Sequence, residues 1–141
     1  MLYLSACSIV KDETPFLAEW VEFHRLVGME HFTIYDNESR VPVSETLARQ
    51  VASGFVTVEP VRGRGKQMEV YRLHAERNRH LSEWTAFLDA DEFVIPHESD
   101  DIRDILTDIG RTHYGLAINW QVFGTSGYLD TPPTRGAVPG L

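Results

Sequence analysis

Three carboxylates stand at the end of one apolar run: Trp84-Thr85-Ala86-Phe87-Leu88 leads straight into Asp89-Ala90-Asp91-Glu92, before Phe93-Val94-Ile95-Pro96. An apolar, aromatic-rich run predicts a central β-strand, and the carboxyl ends of strands are where open α/β sheets bind ligands. Acids placed there are costly to bury without a partner. A divalent cation is the natural partner, because Mg²⁺ and Mn²⁺ take oxygen ligands and commonly share one or two carboxylates with substrate phosphates. In an extended backbone Asp89 and Asp91 point to one side and Ala90 and Glu92 to the other, so the first pair converges on one ion and Glu92 is left as a supporting or structural acid. The plainer alternative is that the acids only solvate a strand end, which a bare Asp-x-Asp does not exclude.

The elements that must position these acids are legible as alternating periods. Residues 3–10 read as a strand, and Thr14-Pro15 opens a helix with Pro at its first position. Phe16, Leu17, Trp20, Val21, His24 and Val27 recur at three- and four-residue spacing, giving one apolar face that Gly28 ends. Residues 31–35 predict a second strand running into Asp36-Asn37, residues 44–52 a short helix closed by Gly54, and residues 55–58 a third strand. A basic, glycine-containing loop over 60–65 precedes a longer helix over 66–82, which feeds the strand carrying the acids. Residues 101–109 then read as helix and 113–122 as a fifth strand. Repeated βα units of this kind predict a mostly parallel sheet with helices on both faces. The polar clusters Asp12-Glu13, Asp36-Asn37, Arg62 to Lys66 and Asp89 to Glu92 each come directly after a strand, so they share one rim and can line one crevice.

With 141 residues the chain reads as one domain, 1–130, followed by a Pro/Gly-rich segment, 131–141, without helical or strand period. A stop inside such a segment, directly after a strand, suggests the front part of a longer protein. Hydrophobic residues at 43% and charged residues at 24% are ordinary for a globular protein and disfavour disorder and membrane spanning. The net charge of -8 argues against sequence-independent nucleic-acid binding. It also means that an anionic ligand needs local compensation, a second argument for a cation at Asp89 and Asp91. The single cysteine, Cys7, allows no intrachain disulfide and fits a reducing, cytoplasmic setting. Leu4-Ser5-Ala6-Cys7 looks superficially like a lipoprotein box, but no basic leader and no apolar signal region precede it, so Cys7 is expected inside the first strand.

Five ordered stretches carry a family resemblance: Val10-Lys11-Asp12-Glu13; Glu19-Trp20-Val21-Glu22-Phe23-His24; Gly28-Met29-Glu30-His31-Phe32-Thr33-Ile34-Tyr35-Asp36-Asn37-Glu38-Ser39; Leu88-Asp89-Ala90-Asp91-Glu92-Phe93; and Trp120-Gln121-Val122-Phe123-Gly124-Thr125-Ser126-Gly127. Together they resemble bacterial members of glycosyltransferase family 2 and the related family 92, over nearly the whole chain. The resemblance implies the GT-A fold, a Rossmann-like α/β domain. It implies a nucleotide-sugar donor such as a UDP-sugar, and an acceptor hydroxyl on a carbohydrate or other molecule. By it, Asp89 and Asp91 match the Asp-x-Asp pair that holds Mn²⁺ or Mg²⁺ against the diphosphate. Asp36 matches the acid that contacts the nucleoside, Asp12 and Glu13 lie beside the base, and Gln67 matches a glutamine opening the long helix. The later carboxylate that acts as base in inverting members has no counterpart placed here, so the acceptor-binding part of the family is expected to lie beyond this chain.

The remaining signals are weaker. Arg62-Gly63-Arg64-Gly65-Lys66 departs from the Walker pattern at Pro60 and Gln67, so it reads as a solvated turn or a backbone phosphate contact. No pair of histidines has the spacing of a zinc hydrolase, and His24 reads as a satisfied core or capping residue. Trp120 and Phe123 fit either a sugar-stacking wall on the acceptor side or core packing. Two rivals stand beside the transferase reading. An aspartate-nucleophile phosphohydrolase also places Asp-x-Asp after an apolar strand, but it wants Thr or Val where Phe93 stands and the motif on its first strand. A non-catalytic nucleotide-sugar-binding module is the other.

Overall fold

The computed structural model describes residues 1–110 and 112–122. In chain order these form β1 (Leu2–Val10), α1 (Thr14–Leu26), β2 (His31–Asp36), α2 (Val43–Thr46), α3 (Ala48–Ala52), β3 (Val56–Pro60), α4 (Gln67–Asn78), β4 (Ser82–Phe87) and α5 (Ile102–Ile109). The four strands make one sheet in the order β3-β2-β1-β4, and every neighbouring pair is parallel. This is the expected α/β, Rossmann-like arrangement. The register sets Val10 opposite Asp36 and Asp36 opposite Pro60, while Cys7 lies opposite Phe87. All four strands therefore end on one rim.

Each face of β1 meets a different layer, as the alternation of side chains along a strand requires. Leu4, Ala6 and Val10 pack with Phe32, Ile34 and Val56 and with Leu17, Trp20 and Val21 of α1. Ile102 and Leu106 of α5 join that same cluster. The opposite face is thinner, built from Cys7, Tyr35 and Val70 with Ile9, Val61 and Tyr71 at its edge, and α4 covers it. Cys7 is wholly buried as expected, and its burial pushes the thiol up to about 12, so it stays protonated and inert.

Helix α1 begins where its sequence predicts, with Pro in the first turn and the amides of Phe16 and Leu17 bonded to the Glu13 carbonyl. Leu17, Trp20, Val21 and His24 form its buried stripe, whereas Phe16 is half exposed at the helix start. Gly28, at φ +106°, then reverses the chain. Its missing Cβ leaves room for the carboxylate of Asp101, which caps α5 by accepting from the Arg103 amide at 2.8 Å.

Four expectations need correction. The strand carrying the acids is not central: β4 lies at the sheet edge, and among the described residues nothing pairs with its outer side. It also stops at Phe87. The backbone at 89–92 is a turn, closed by Glu92 N–H to Asp89 C=O at 3.0 Å, so the extended-strand argument for which way Asp89 and Asp91 point does not apply. The long helix ends at Asn78 rather than at 82, because Ser82 belongs to β4 and its hydroxyl meets that of Ser5 at 2.6 Å. Pairing with β1 outweighs local helical preference there. Finally, residues 113–122 form no strand: Leu116, Ile118, Trp120 and Val122 alternate as a half-buried strand would, yet all are exposed and no neighbour among the described residues supplies a ladder. The 131–141 segment lies outside the described residues, as does Phe123.

Candidate functional site

The rim is built from the segments that leave the four strands. After β1, Asp12 takes a left-handed backbone, φ 60°, a conformation Asp tolerates better than most residues. Its amide donates to Ser39 Oγ at 3.1 Å, and its Oδ1 accepts from the Arg40 amide at 2.8 Å. The Arg40 guanidinium also sits 3.3 Å away. The backbone hydrogen bond from Arg40 leads in holding the Asp12 carboxyl below its ordinary value. Glu13 lends its carbonyl to the start of α1, and its side chain is exposed and makes no cap.

After β2, the Asp36 carboxylate is already engaged. One oxygen accepts from the Ser39 amide at 3.0 Å and the other from the Val43 amide at 3.1 Å. Asp36 thus shapes the 37–43 loop, and each oxygen keeps lone-pair capacity for a further donor. Asn37 extends the wall: its amide nitrogen donates to the carbonyls of Val61 and Gly63 at 3.2 and 2.9 Å. Glu38, also left-handed at φ 59°, accepts from the Gly63 amide at 3.2 Å. The basic loop is therefore stitched to the loop after β2. Non-glycine residues with positive φ cost energy that only a well-supported surrounding sustains, and two of them lie on this rim.

The Asp89–Glu92 turn completes the rim. Gln67 Nε2 donates to Asp89 Oδ1 at 2.8 Å, and the Tyr71 hydroxyl lies 3.4 Å from the same oxygen. Gln67 and Tyr71 are four residues apart on α4, hence on one helix face, and meet each other at 3.3 Å. Burial raises the Tyr71 hydroxyl to about 12, which keeps it a donor. Glu92 turns its carboxylate inward to accept the Asp89 amide at 3.1 Å, the structural part expected of it. Asp91 is exposed, and among the described residues its carboxylate has no hydrogen-bond or ion-pair partner.

Oriented this way, Asp89 offers Oδ2 and Asp91 both oxygens, an all-oxygen donor set suited to a hard cation that takes its remaining ligands from phosphate and water. No cluster of three or more His, Cys, Asp or Glu forms a closed metal cage among the described residues. A groove of about 540 Å³ lined by Glu22, Arg25, Arg49, Gln50, Ser53 and Phe55 shares no residue with the rim. That groove holds none of the residues expected at the site from sequence.

Of the residues singled out from sequence, Gln67 and Asp89 are brought into direct contact, and the segments holding Asp12, Asp36 and Asp91 share their rim. Trp120 is 77% exposed rather than packed in the core. Tyr71 was not foreseen, although its spacing from Gln67 was the available signal.

Comparison with known proteins identifies the family of the chain. The profile of glycosyltransferase family 92 matches residues 2–137. A family 92 protein of Ricinus communis is 30% identical over 138 residues, covering 95% of this chain and 25% of that protein. One of Oryza sativa subsp. japonica is 29% identical over 132 residues, covering 92% and 23% respectively. One of Arabidopsis thaliana is 31% identical over 91 residues, covering 64% and 16%. The chain thus spans about a quarter or less of the length of these plant relatives. With the profile covering nearly every residue, the chain belongs to glycosyltransferase family 92.

Proposed function

We propose that this chain is the donor-binding part of a glycosyltransferase, taking a nucleotide sugar, best a UDP-sugar, at the rim where its four strands end. The observation that carries this reading is the turn at 89–92, in which Asp89 is oriented by Gln67 and Tyr71 while Asp91 stays unpartnered among the described residues. Two such carboxylates facing an anionic diphosphate require a cation between them, and Mn²⁺ or Mg²⁺ suits the oxygen donors. When bound, that cation supplies Lewis-acid stabilisation of the charge developing on the departing diphosphate. The protein's own share is orientation. Gln67 and Tyr71 hold one Asp89 oxygen, and the 37–43 loop, shaped by Asp36 and braced by Arg40 on Asp12, forms a wall for the nucleoside. Trp120, exposed on the segment after α5, is assigned to the acceptor side. The likeness to bacterial family 2 rests on the shared order of motifs alone.

Thermal unfolding with Mn²⁺ and UDP tests the reading. At about 100 times its dissociation constant the nucleotide stabilises the fold by about 2.7 kcal/mol, a shift of several degrees that chelator removes. Asp91→Asn loses most of that shift while the metal-free protein melts as before. A shift indifferent to chelator, or an Asp91→Asn protein that binds UDP equally well, makes the carboxylate turn structural.

A second reading arises because the chain spans only about a quarter of its relatives: a donor-binding module without transfer activity of its own. Sugar transfer by residues 1–141 alone would remove this reading and place the acceptor-activating base within the chain.

A further inference from the structure

Past Leu88, whose amide still bonds the Cys7 carbonyl at 3.2 Å, the chain leaves the sheet. Among the described residues, the backbone from Asp89 to Asp100 then meets other elements through two hydrogen bonds, and both are made with one helix. Trp20 Nε1 donates to the Glu92 carbonyl at 2.7 Å. The Val94 amide donates to His24 Nε2 at 3.2 Å. Between these two bonds the Phe93 ring stacks on the His24 ring, with centroids 5.9 Å apart and planes 17° from parallel. Trp20 and His24 are both fully buried, and four residues separate them on α1, so they project from the same face.

The ring chemistry of His24 is fully specified. Nδ1 faces the Trp20 carbonyl at 2.9 Å and must carry the proton, which leaves Nε2 as the acceptor that Val94 requires. The imidazole is enclosed by Trp20 and Phe23 of α1, Phe32 of β2 and Phe93, none of them titratable in the working range. Burial pushes it down to about 4, so the neutral form persists at neutral pH.

We propose that Trp20 and His24 are positioning residues for the carboxylate turn, fixing the Glu92–Val94 backbone so that Asp91, which has no bond of its own among the described residues, presents its carboxylate to the cation and diphosphate. The inference rests on the donor-binding reading above. Asp89 is steered from α4 and Asp91 from α1, on opposite sides of the sheet, so the two carboxylates converge only when both helices are docked.

The test uses the 141-residue protein and two substitutions at one position. His24→Phe keeps an aromatic ring against Phe93 and removes the acceptor, whereas His24→Gln restores an acceptor near the position of Nε2. Without ligand, exchange of the Val94 amide is expected to be about tenfold faster in His24→Phe and to return towards wild type in His24→Gln. With Mn²⁺, UDP affinity is expected to fall roughly 10- to 100-fold in His24→Phe, the usual effect of removing a group that orients a metal ligand, and to recover in His24→Gln. Should His24→Phe not fold, Trp20→Phe, which removes the indole N–H, carries the same two readouts. Unchanged exchange at Val94, unchanged UDP affinity despite faster exchange, or a folded His24→Gln that restores neither overturns the inference. A wild-type protein that binds no UDP sinks the donor-binding reading and the affinity part with it, while ligand-free exchange still decides whether α1 fixes the turn.

Discussion

Gln67 and Asp89 stand 22 residues apart in the chain, yet the amide of one holds an oxygen of the other at 2.8 Å. That contact links the first turn of α4 to the segment leaving β4, and it selects which Asp89 oxygen is free for a ligand. Only the all-parallel topology allows it, because α4 then starts on the same rim where β4 ends.

Removing that link is expected to affect binding and not folding. Gln67→Ala should weaken Mn²⁺-dependent UDP binding about 10-fold or more, while the unfolding free energy stays within about 0.5 kcal/mol of wild type. Tyr71→Phe, which loses a longer contact, should do less. Titration calorimetry on the two variants reports the order, and equal affinity in Gln67→Ala would mean that Asp89 needs no orienting partner.

Gly28 should tolerate no side chain. Its φ of +106° disfavours any L-residue, and an added Cβ would run into the Asp101 carboxylate, itself gripped by Arg103. Arg103 in turn reaches Glu30 at 2.9 Å, so the collision spreads into the network that docks α5. Gly28→Ala is expected to cost at least about 2 kcal/mol in urea unfolding. A loss below about 0.5 kcal/mol would show that the α1–β2 connection relaxes freely.

Trp20 is fully buried, edge-on to Phe32 at 5.1 Å, and its indole N–H is spent on Glu92. Trp20→Ala should therefore cost about 3 to 5 kcal/mol, as large core truncations do. Chemical denaturation that finds less than about 1 kcal/mol would mean that α1 does not face the sheet in solution.

Stability should fall on mild acidification. His24, His31 and His74 are all held below the ordinary imidazole value by burial, and His74 further by the nearby His31. The unfolded chain takes up these protons near pH 6.5, before the folded protein does. Stability is thus fully present above about pH 6.5 and declines as pH drops towards 4, where His24 titrates in the fold. The gap at His24 alone corresponds to roughly 3 kcal/mol. Glu22, Glu30 and Asp101 are shifted down by their partners, so their contributions are lost only at still lower pH. Unfolding free energies measured at pH 7.5 and pH 5 should differ, and His24→Phe should reduce the difference. Equal values at the two pH settings would contradict the burial of these rings.

The parts of this protein readable from the chain alone are those set by neighbours in sequence. The stripe Leu17, Trp20, Val21 and His24 declares α1 because a helix repeats every few residues, and polar clusters after strands declare a shared rim because parallel strands all end on one side. The tertiary structure decided what depends on distant partners. Whether Asp89 to Glu92 continue a strand or turn depended on Glu92 folding back to the Asp89 amide and on Trp20 and His24 gripping the backbone from Glu92 to Val94. Tyr71 and His24 looked like ordinary helix residues until β4 and its turn arrived beside them. Asp36 reads in sequence only as an acid after a strand, and the fold engages its oxygens with the amides of Ser39 and Val43. The alternation at 113–122 imitated a strand, because side-chain period is a local property whereas a ladder requires a neighbouring strand to receive its hydrogen bonds.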